Sequence, residues 1–237
     1  MIDKNEKLIK LVELSQSWQG EGPDMGRSMV ITRFKYCNKH CSFCDTIIKM
    51  KTFSEGSYSI NDINQSLQKT KALMITGGEP TFISKDKKID NLSQTVLMLS
   101  YCDYQTVNIE TNGCQLEQLI FEFQRCGNTR KNEKWLGKII YSPKIFSTED
   151  YNIELEKTIK LINKPFLYMK IVADGSKLTE KFIKEISSLS NEKGKIYLMP
   201  LGTTYEEITK NWPYCIDLAD ECNLNLSSRL HIMNQFI

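Results

Sequence analysis

Short runs of apolar and β-branched residues recur along the chain with longer polar stretches of helical spacing between them, and this alternation most narrows the possible folds. Strands that alternate with helices build a parallel sheet, because each helix both carries the chain back and covers one face. Ser28 to Phe34, Ala72 to Thr76, Thr106 to Glu110, Lys138 to Tyr141, Phe166 to Val172 and Lys195 to Met199 read as strands. Between them, Ser59 to Lys69 reads as a helix whose first residue can cap it, with Ile60, Ile63 and Leu67 on one face. Leu92 to Tyr101, Leu116 to Phe123, Tyr151 to Ile162, Thr179 to Leu189 and Tyr205 to Lys210 follow the same pattern. At 237 residues the chain is shorter than the roughly 250 typical of a full eight-unit barrel. The expected fold is therefore α/β, a modified, incomplete (β/α)6-type TIM barrel, with residues 1–237 forming a single domain. Residues 125–137 are polar and without period, and read as a surface insertion.

Net charge is +2, so the overall field favours neither nucleic acid nor an anionic membrane as partner, and a small-molecule substrate is expected. The longest apolar runs are far below the roughly 20 residues of a membrane span. The opening Met1-Ile2-Asp3-Lys4 has no secretory apolar region, so a cytoplasmic protein is expected. Eight cysteines in such a compartment stay reduced and point to metal or catalysis. Five of them, Cys102, Cys114, Cys126, Cys215 and Cys222, are scattered and read as small apolar side chains.

The other three lie within eight residues, Cys37-Asn38-Lys39-His40-Cys41-Ser42-Phe43-Cys44, just after the first strand. One loop of this kind wraps a single metal centre. A zinc-stabilised binding module, with His40 as fourth ligand, is one reading. A four-iron four-sulfur (4Fe-4S) cluster held by Cys37, Cys41 and Cys44, with one iron left open for chemistry, is the other. Parallel sheets gather ligands at the carboxyl ends of their strands. Gly77-Gly78-Glu79-Pro80, Asn112-Gly113, Ser142-Pro143-Lys144 and Pro200-Leu201-Gly202 all fall at such ends.

Cys-x3-Cys-x2-Cys with Phe43 before the last cysteine resembles the signature of the radical S-adenosylmethionine superfamily. In that superfamily the methionine part of S-adenosylmethionine chelates the open iron, and its reductive cleavage releases a 5′-deoxyadenosyl radical. Gly77-Gly78-Glu79 resembles the superfamily's GGE motif, which implies a contact with the amino group of the cofactor. Its glycines permit close backbone approach, and Glu79 offers an acceptor.

The resemblance extends to the 7-carboxy-7-deazaguanine synthases and runs from Gln19 to His231. It is carried by Gln19-Gly20-Glu21-Gly22-Pro23, Gly26-Arg27, Arg33, Cys44-Asp45-Thr46, Thr76-Gly77-Gly78-Glu79-Pro80, Glu110-Thr111-Asn112-Gly113, Ser142-Pro143-Lys144 and Arg229-Leu230-His231, in that order. It implies a lyase that converts 6-carboxy-5,6,7,8-tetrahydropterin to 7-carboxy-7-deazaguanine by hydrogen abstraction, radical ring contraction and ammonia loss, in 7-deazapurine or queuosine biosynthesis. It further implies Mg²⁺ at Thr46. S-adenosylmethionine contacts are implied at Phe43, Cys44, Asp45, Gly77, Gly78, Glu79, Ser142, Pro143, Lys144, Leu198, Met199, Pro200 and Leu201. Pterin contacts are implied at Trp18, Gln19, Gly20, Glu21, Arg33, Thr76 and His231. A homodimer served by a flavodoxin-like electron donor is implied as well.

The sequence departs from the family at Lys35-Tyr36, where small residues are usual, and at Met199-Pro200-Leu201-Gly202, which lacks a familiar glutamine. A radical activating enzyme for a glycyl-radical partner would share the cysteine spacing, but it has no need of the Gln19 block, Thr46 or His231.

Overall fold

The computed structural model describes residues 8–44, 46, 54–129 and 136–234. It divides into two compact units, one of residues 1–17 and 28–139, the other of residues 18–27 and 140–237.

In the first unit, β1 (Ile9–Leu11) is followed by β2 (Glu13–Trp18), whose last residue belongs to the other unit, and by β3 (Ser28–Phe34). β4 (Gly56–Tyr58) pairs antiparallel with β1, Ile9 opposite Tyr58. β5 (Ala72–Gly77) runs parallel to β3 with Arg33 opposite Thr76, and β6 (Thr106–Thr111) runs parallel to β5 with Ile75 opposite Ile109. These three strands are fully covered: Val30, Leu73, Ile75, Val107 and Ile109 are all completely buried. Each such aliphatic side chain contributes about 1.5–3 kcal/mol when taken out of water. The helices Ile60–Leu67, Asn91–Tyr101 and Leu116–Thr129 supply the cover through Ile63, Leu67, Met98, Leu99, Leu119 and Phe123.

Side chains that would compete with a helix in its interior start these helices instead. Ser59 accepts from the backbone N–H of Asp62 while Asp62 accepts in return from that of Ser59, a reciprocal cap that satisfies two otherwise orphaned donors. Asp90 does the same one-way service for Ser93.

In the second unit, β8 (Leu167–Ala173) and β9 (Ile196–Pro200) run parallel with Met169 opposite Ile196, and the two-residue β10 (Asn225–Leu226) runs parallel to β9. The boundary between the units falls within β7 (Leu136–Tyr141). Helices Thr148–Leu161, Lys177–Leu189 and Tyr205–Cys222 alternate with the strands, each opened by a serine or threonine that accepts from the backbone three residues on.

All six expected strands are present with ends shifted by no more than two residues, and every expected helix is present. The differences have local causes. The helix from Leu116 continues to Thr129 because Cys126 keeps the buried face of Leu119 and Phe123 going, so residues 125–129 are helical and Leu136 and Gly137 already belong to β7. The middle of the expected insertion, residues 130–135, lies outside the described residues. The helix from Tyr205 runs through Pro213 to Cys222, since buried Cys215, Leu218 and Ala219 outweigh one missing backbone hydrogen bond. The short β1, β4 and β10 and the single-turn helix Leu230–Met233 carry too few residues for a period to register, and the six residues of β2, Glu-Leu-Ser-Gln-Ser-Trp, are mostly polar. Among the described residues, no helix is long and apolar enough to cross a membrane.

Candidate active site

In the first unit, the chain leaves β3 and enters the cysteine loop directly, and the turn after β5 clasps that entry. Gly78 N–H donates to Phe34 O at 2.7 Å and Glu79 N–H to Tyr36 O at 2.7 Å. A Cβ on Gly78 would stand 2.1 Å from Tyr36 O, and Gly77 adopts φ 103°, which an L side chain resists. The two glycines are thus needed for backbone-to-backbone approach, whatever else they touch.

Glu79 is 1% exposed. Its Oε1 accepts from Thr111 Oγ1 at 2.6 Å, from Thr81 Oγ1 at 2.5 Å and from Thr81 N at 3.0 Å, and its Oε2 accepts from Asn112 N at 2.6 Å. Burial pushes its carboxyl pKa up, and the four donors pull against it. The carboxylate therefore ties the end of β5 to the end of β6.

All three loop thiols are reduced and half-buried, and Cys44 N–H closes a turn onto Cys41 O at 3.2 Å. Cys37 Sγ accepts from Lys39 N at 3.4 Å and from Asn112 Nδ2 at 3.5 Å. Burial raises the Cys37 pKa to about 11, with Glu79, Cys41 and Cys44 adding to the effect. Three thiols on one loop, with no carboxylate among them, are the donor set of a soft metal centre and fit an iron–sulfur cluster. Among the described residues, however, no three histidine, cysteine or acidic side chains converge closely enough to hold an ion. His40, the zinc reading's fourth ligand, is exposed. Phe43 is half-buried, and Asp45 lies outside the described residues.

Arg33 of β3 stands opposite Thr76 of β5. Thr76 Oγ1 donates to Glu110 at 2.9 Å. Arg33 Nε donates to Glu13 Oε2 at 2.7 Å and its Nη1 to buried Thr46 Oγ1 at 3.2 Å. Arg33 is therefore no loose surface charge. Its side chain is 11% exposed.

The second unit gathers a different set. Gln19 and the Gly22 turn are held by backbone bonds from Gln19 N to Arg27 O and from Gly26 N to Gln19 O, both 2.8 Å, and Gly22 N donates to Ser227 Oγ. Buried Glu21 accepts from Lys170 Nζ at 2.6 Å and Arg229 Nε at 2.8 Å, with His231 Nε2 3.6 Å away. Gly20 O accepts from Leu230 N at 3.0 Å, and His231 packs against Gly20 so closely that a Cβ there would meet Nδ1 at 2.1 Å. Lys144 Nζ donates to Ser142 Oγ at 2.7 Å beside buried Pro143. Leu198, Met199 and Pro200 are buried in β9 and Leu201 is half-buried, whereas Trp18 is 56% exposed.

Sequence reasoning passed over Glu13, Glu110, Lys170 and Arg229 as site residues. Lys170 carried a signal, a lone cation in the apolar run Met169-Lys170-Ile171. Arg229 had only its place beside His231.

The molecule has the fold of a solved α/β protein: it matches the crystal structure of QueE from Escherichia coli over 96% of each chain, with a TM-score of 0.57 at 18% identity. The fold class read from the strand and helix alternation, α/β of the incomplete-barrel type, is the one this likeness supports. In sequence, the chain is 27% identical over 223 residues to a protein from Aquifex aeolicus (strain VF5) named 7-carboxy-7-deazaguanine synthase, covering 93% of this chain and 90% of that one. A protein of the same name from Hyperthermus butylicus is 23% identical over 235 residues, 96% of this chain and 93% of the relative. Another from Bacteroides thetaiotaomicron reaches 36% over 104 residues, 44% of this chain and 52% of that one. No family model matches the chain. The resemblance carried by the motifs is thus a resemblance of nearly the whole chain.

Proposed function

We propose that this protein is a radical S-adenosylmethionine enzyme that converts 6-carboxy-5,6,7,8-tetrahydropterin to 7-carboxy-7-deazaguanine. The observation that carries the reading is the clasp of the Gly77-Gly78-Glu79 turn on the backbone leading into Cys37, because it unites the two superfamily motifs in one unit. The whole-chain likeness to proteins of that name supports this reaction among those the superfamily performs.

In this reading Cys37, Cys41 and Cys44 hold a 4Fe-4S cluster. With S-adenosylmethionine bound, that group would supply the electron that cleaves the cofactor and frees the hydrogen-abstracting radical, while the protein positions and shields the substrate. Phe43, Cys44, Asp45, Gly77, Gly78, Glu79, Ser142, Pro143, Lys144 and Leu198 to Leu201 are assigned to the cofactor. For Glu79 the assignment works through its loop, since its own oxygens are spent on Thr81, Thr111 and Asn112. Pterin recognition falls to Trp18, Gln19, Gly20, Glu21, Arg33, Thr76 and His231, whose amide, carboxylate and guanidinium groups match the amide-like edge and carboxylate of the substrate. The guanidinium of Arg33, held by Glu13 and reaching Thr46, is the group suited to that carboxylate. Thr46 would lend its hydroxyl to Mg²⁺, a hard cation suited to oxygen ligands. A cytoplasmic homodimer reduced by a flavodoxin-like protein completes the reading.

The test is anaerobic reconstitution with iron and sulfide, then incubation with a reductant, S-adenosylmethionine, Mg²⁺ and the carboxy-tetrahydropterin. Formation of 7-carboxy-7-deazaguanine with release of ammonia is the expected result. A colourless protein that binds zinc and no iron overturns the cluster. Cofactor cleavage with the pterin untouched overturns the substrate alone.

A further inference from the structure

We infer that Asn112 is a positioning residue for the metal centre, donating its side-chain amide to the sulfur of Cys37 and so raising the potential at which a bound cluster is reduced. The inference rests on the cluster proposed above and adds to it a group outside the cysteine loop.

Asn112 follows β6 directly, at a distance of 75 positions from Cys37. Its backbone N–H is fixed by the buried Glu79 carboxylate at 2.6 Å, and Glu79 is itself locked by Thr81 and Thr111. Thr111 Oγ1 also accepts from Gly113 N at 3.0 Å, so the backbone on both sides of Asn112 is held. From this mount the side-chain amide nitrogen donates to Asn38 Oδ1 at 2.8 Å and to Cys37 Sγ at 3.5 Å. The same Glu79 turn grips the chain at Tyr36, one residue before Cys37. Donor and acceptor are therefore both mounted on Glu79, Asn112 through its buried carboxylate and the chain before Cys37 through its backbone N–H.

A hydrogen bond to a thiolate ligand withdraws electron density from the sulfur and favours the more electron-rich, reduced cluster. Reduction adds one electron from an external one-electron donor to the oxidised cluster, and no bond to Cys37 breaks. Removing the amide should make that step less favourable.

The test is an EPR-monitored redox titration of the reconstituted holoprotein, comparing wild type with Asn112→Ala and the isosteric Asn112→Asp. Both variants keep the backbone N–H that Glu79 holds. Asn112→Ala is expected to lower the equilibrium constant for reduction about tenfold, about 59 mV for a one-electron couple. Asn112→Asp is expected to lower it further, since it replaces the donor with a carboxylate. Should neither variant retain iron, Asn38→Ala decides: it removes the competing acceptor, leaves the amide to Cys37 alone and is expected to raise the potential. Potentials equal to wild type overturn the inference while leaving the proposed function standing. A wild-type protein that loads no cluster overturns that function itself.

Discussion

The guanidinium of Arg229 meets the carboxylate of Glu21 at 2.8 Å across 208 positions of sequence, and both side chains are at most 10% exposed. Lys170 reaches the other oxygen of the same carboxylate, and a second nitrogen of Arg229 donates to Gly202 O. Removing one partner of a buried pair leaves the remaining charge uncompensated, at a cost of about 3–5 kcal/mol. Arg229→Met should fall at the lower end of that range, about 3 kcal/mol by urea denaturation, because Lys170 still faces Glu21. A loss under about 1 kcal/mol, the range of exposed pairs, would show that water screens the cluster.

Gly78→Ala should do more harm than its size implies. The added carbon meets Tyr36 O at 2.1 Å, Tyr36 C at 2.5 Å and Tyr36 N at 2.8 Å, all backbone atoms that cannot rotate away. The clasp on the cysteine loop should open, and iron retained after reconstitution should fall well below wild type. Gly194→Ala, where an added carbon meets nothing within 4 Å, should leave both iron content and melting temperature unchanged.

Gly20→Ala is a gentler probe, because its added carbon meets the side chain of His231, with Nδ1 at 2.1 Å and Cγ at 2.9 Å. The imidazole must turn away from Gly20 and shift against Glu21, which lies 3.6 Å from Nε2. Steady-state kinetics should show a raised KM for the pterin with a melting temperature close to wild type. An unchanged KM would remove His231 from the substrate contacts.

Alkaline conditions should destabilise the metal-free protein. Burial pushes the Cys215 thiol up from its ordinary 9.0 to about 12, so the folded state holds a proton that the unfolded chain releases. Its contribution is complete below pH 9 and is lost progressively as pH rises through 9 toward 12. Denaturation midpoints at pH 8 and pH 10.5 should therefore differ, and Cys215→Ala should lessen the difference. Equal pH dependence in the variant would assign the loss to other groups.

The strands and most helices were legible because their signals are local. Ser59 caps its helix through a residue three positions on, and Ile60, Ile63 and Leu67 share a face at helical spacing. The helical pattern from Tyr205 reads only to Lys210 in the sequence, and the burial of Cys215 and Leu218 carries the helix on through Pro213, where proline is locally unfavourable. Among the candidate site residues, Cys37, Gly78 and His231 stand in motifs. Asn112 also stands in one, but it, Glu13 and Lys170 matter through partners at separations of 75, 20 and 149 positions, and no periodicity reports such pairs.

By itself the sequence determined the alternation of strand and helix, the strand ends at which the motifs fall, and the three thiols of one loop. These are properties of neighbours, set by side-chain direction, backbone preference and capping over a few residues. Only the tertiary structure decided that Glu79 is a buried brace between two strand ends, that Arg33 lies between Glu13 and Thr46, and that Glu21 faces two cations. A polar side chain declares its own chemistry in the sequence, but burial obliges it to find a partner, and which partner it meets depends on the register of strands far apart in the chain.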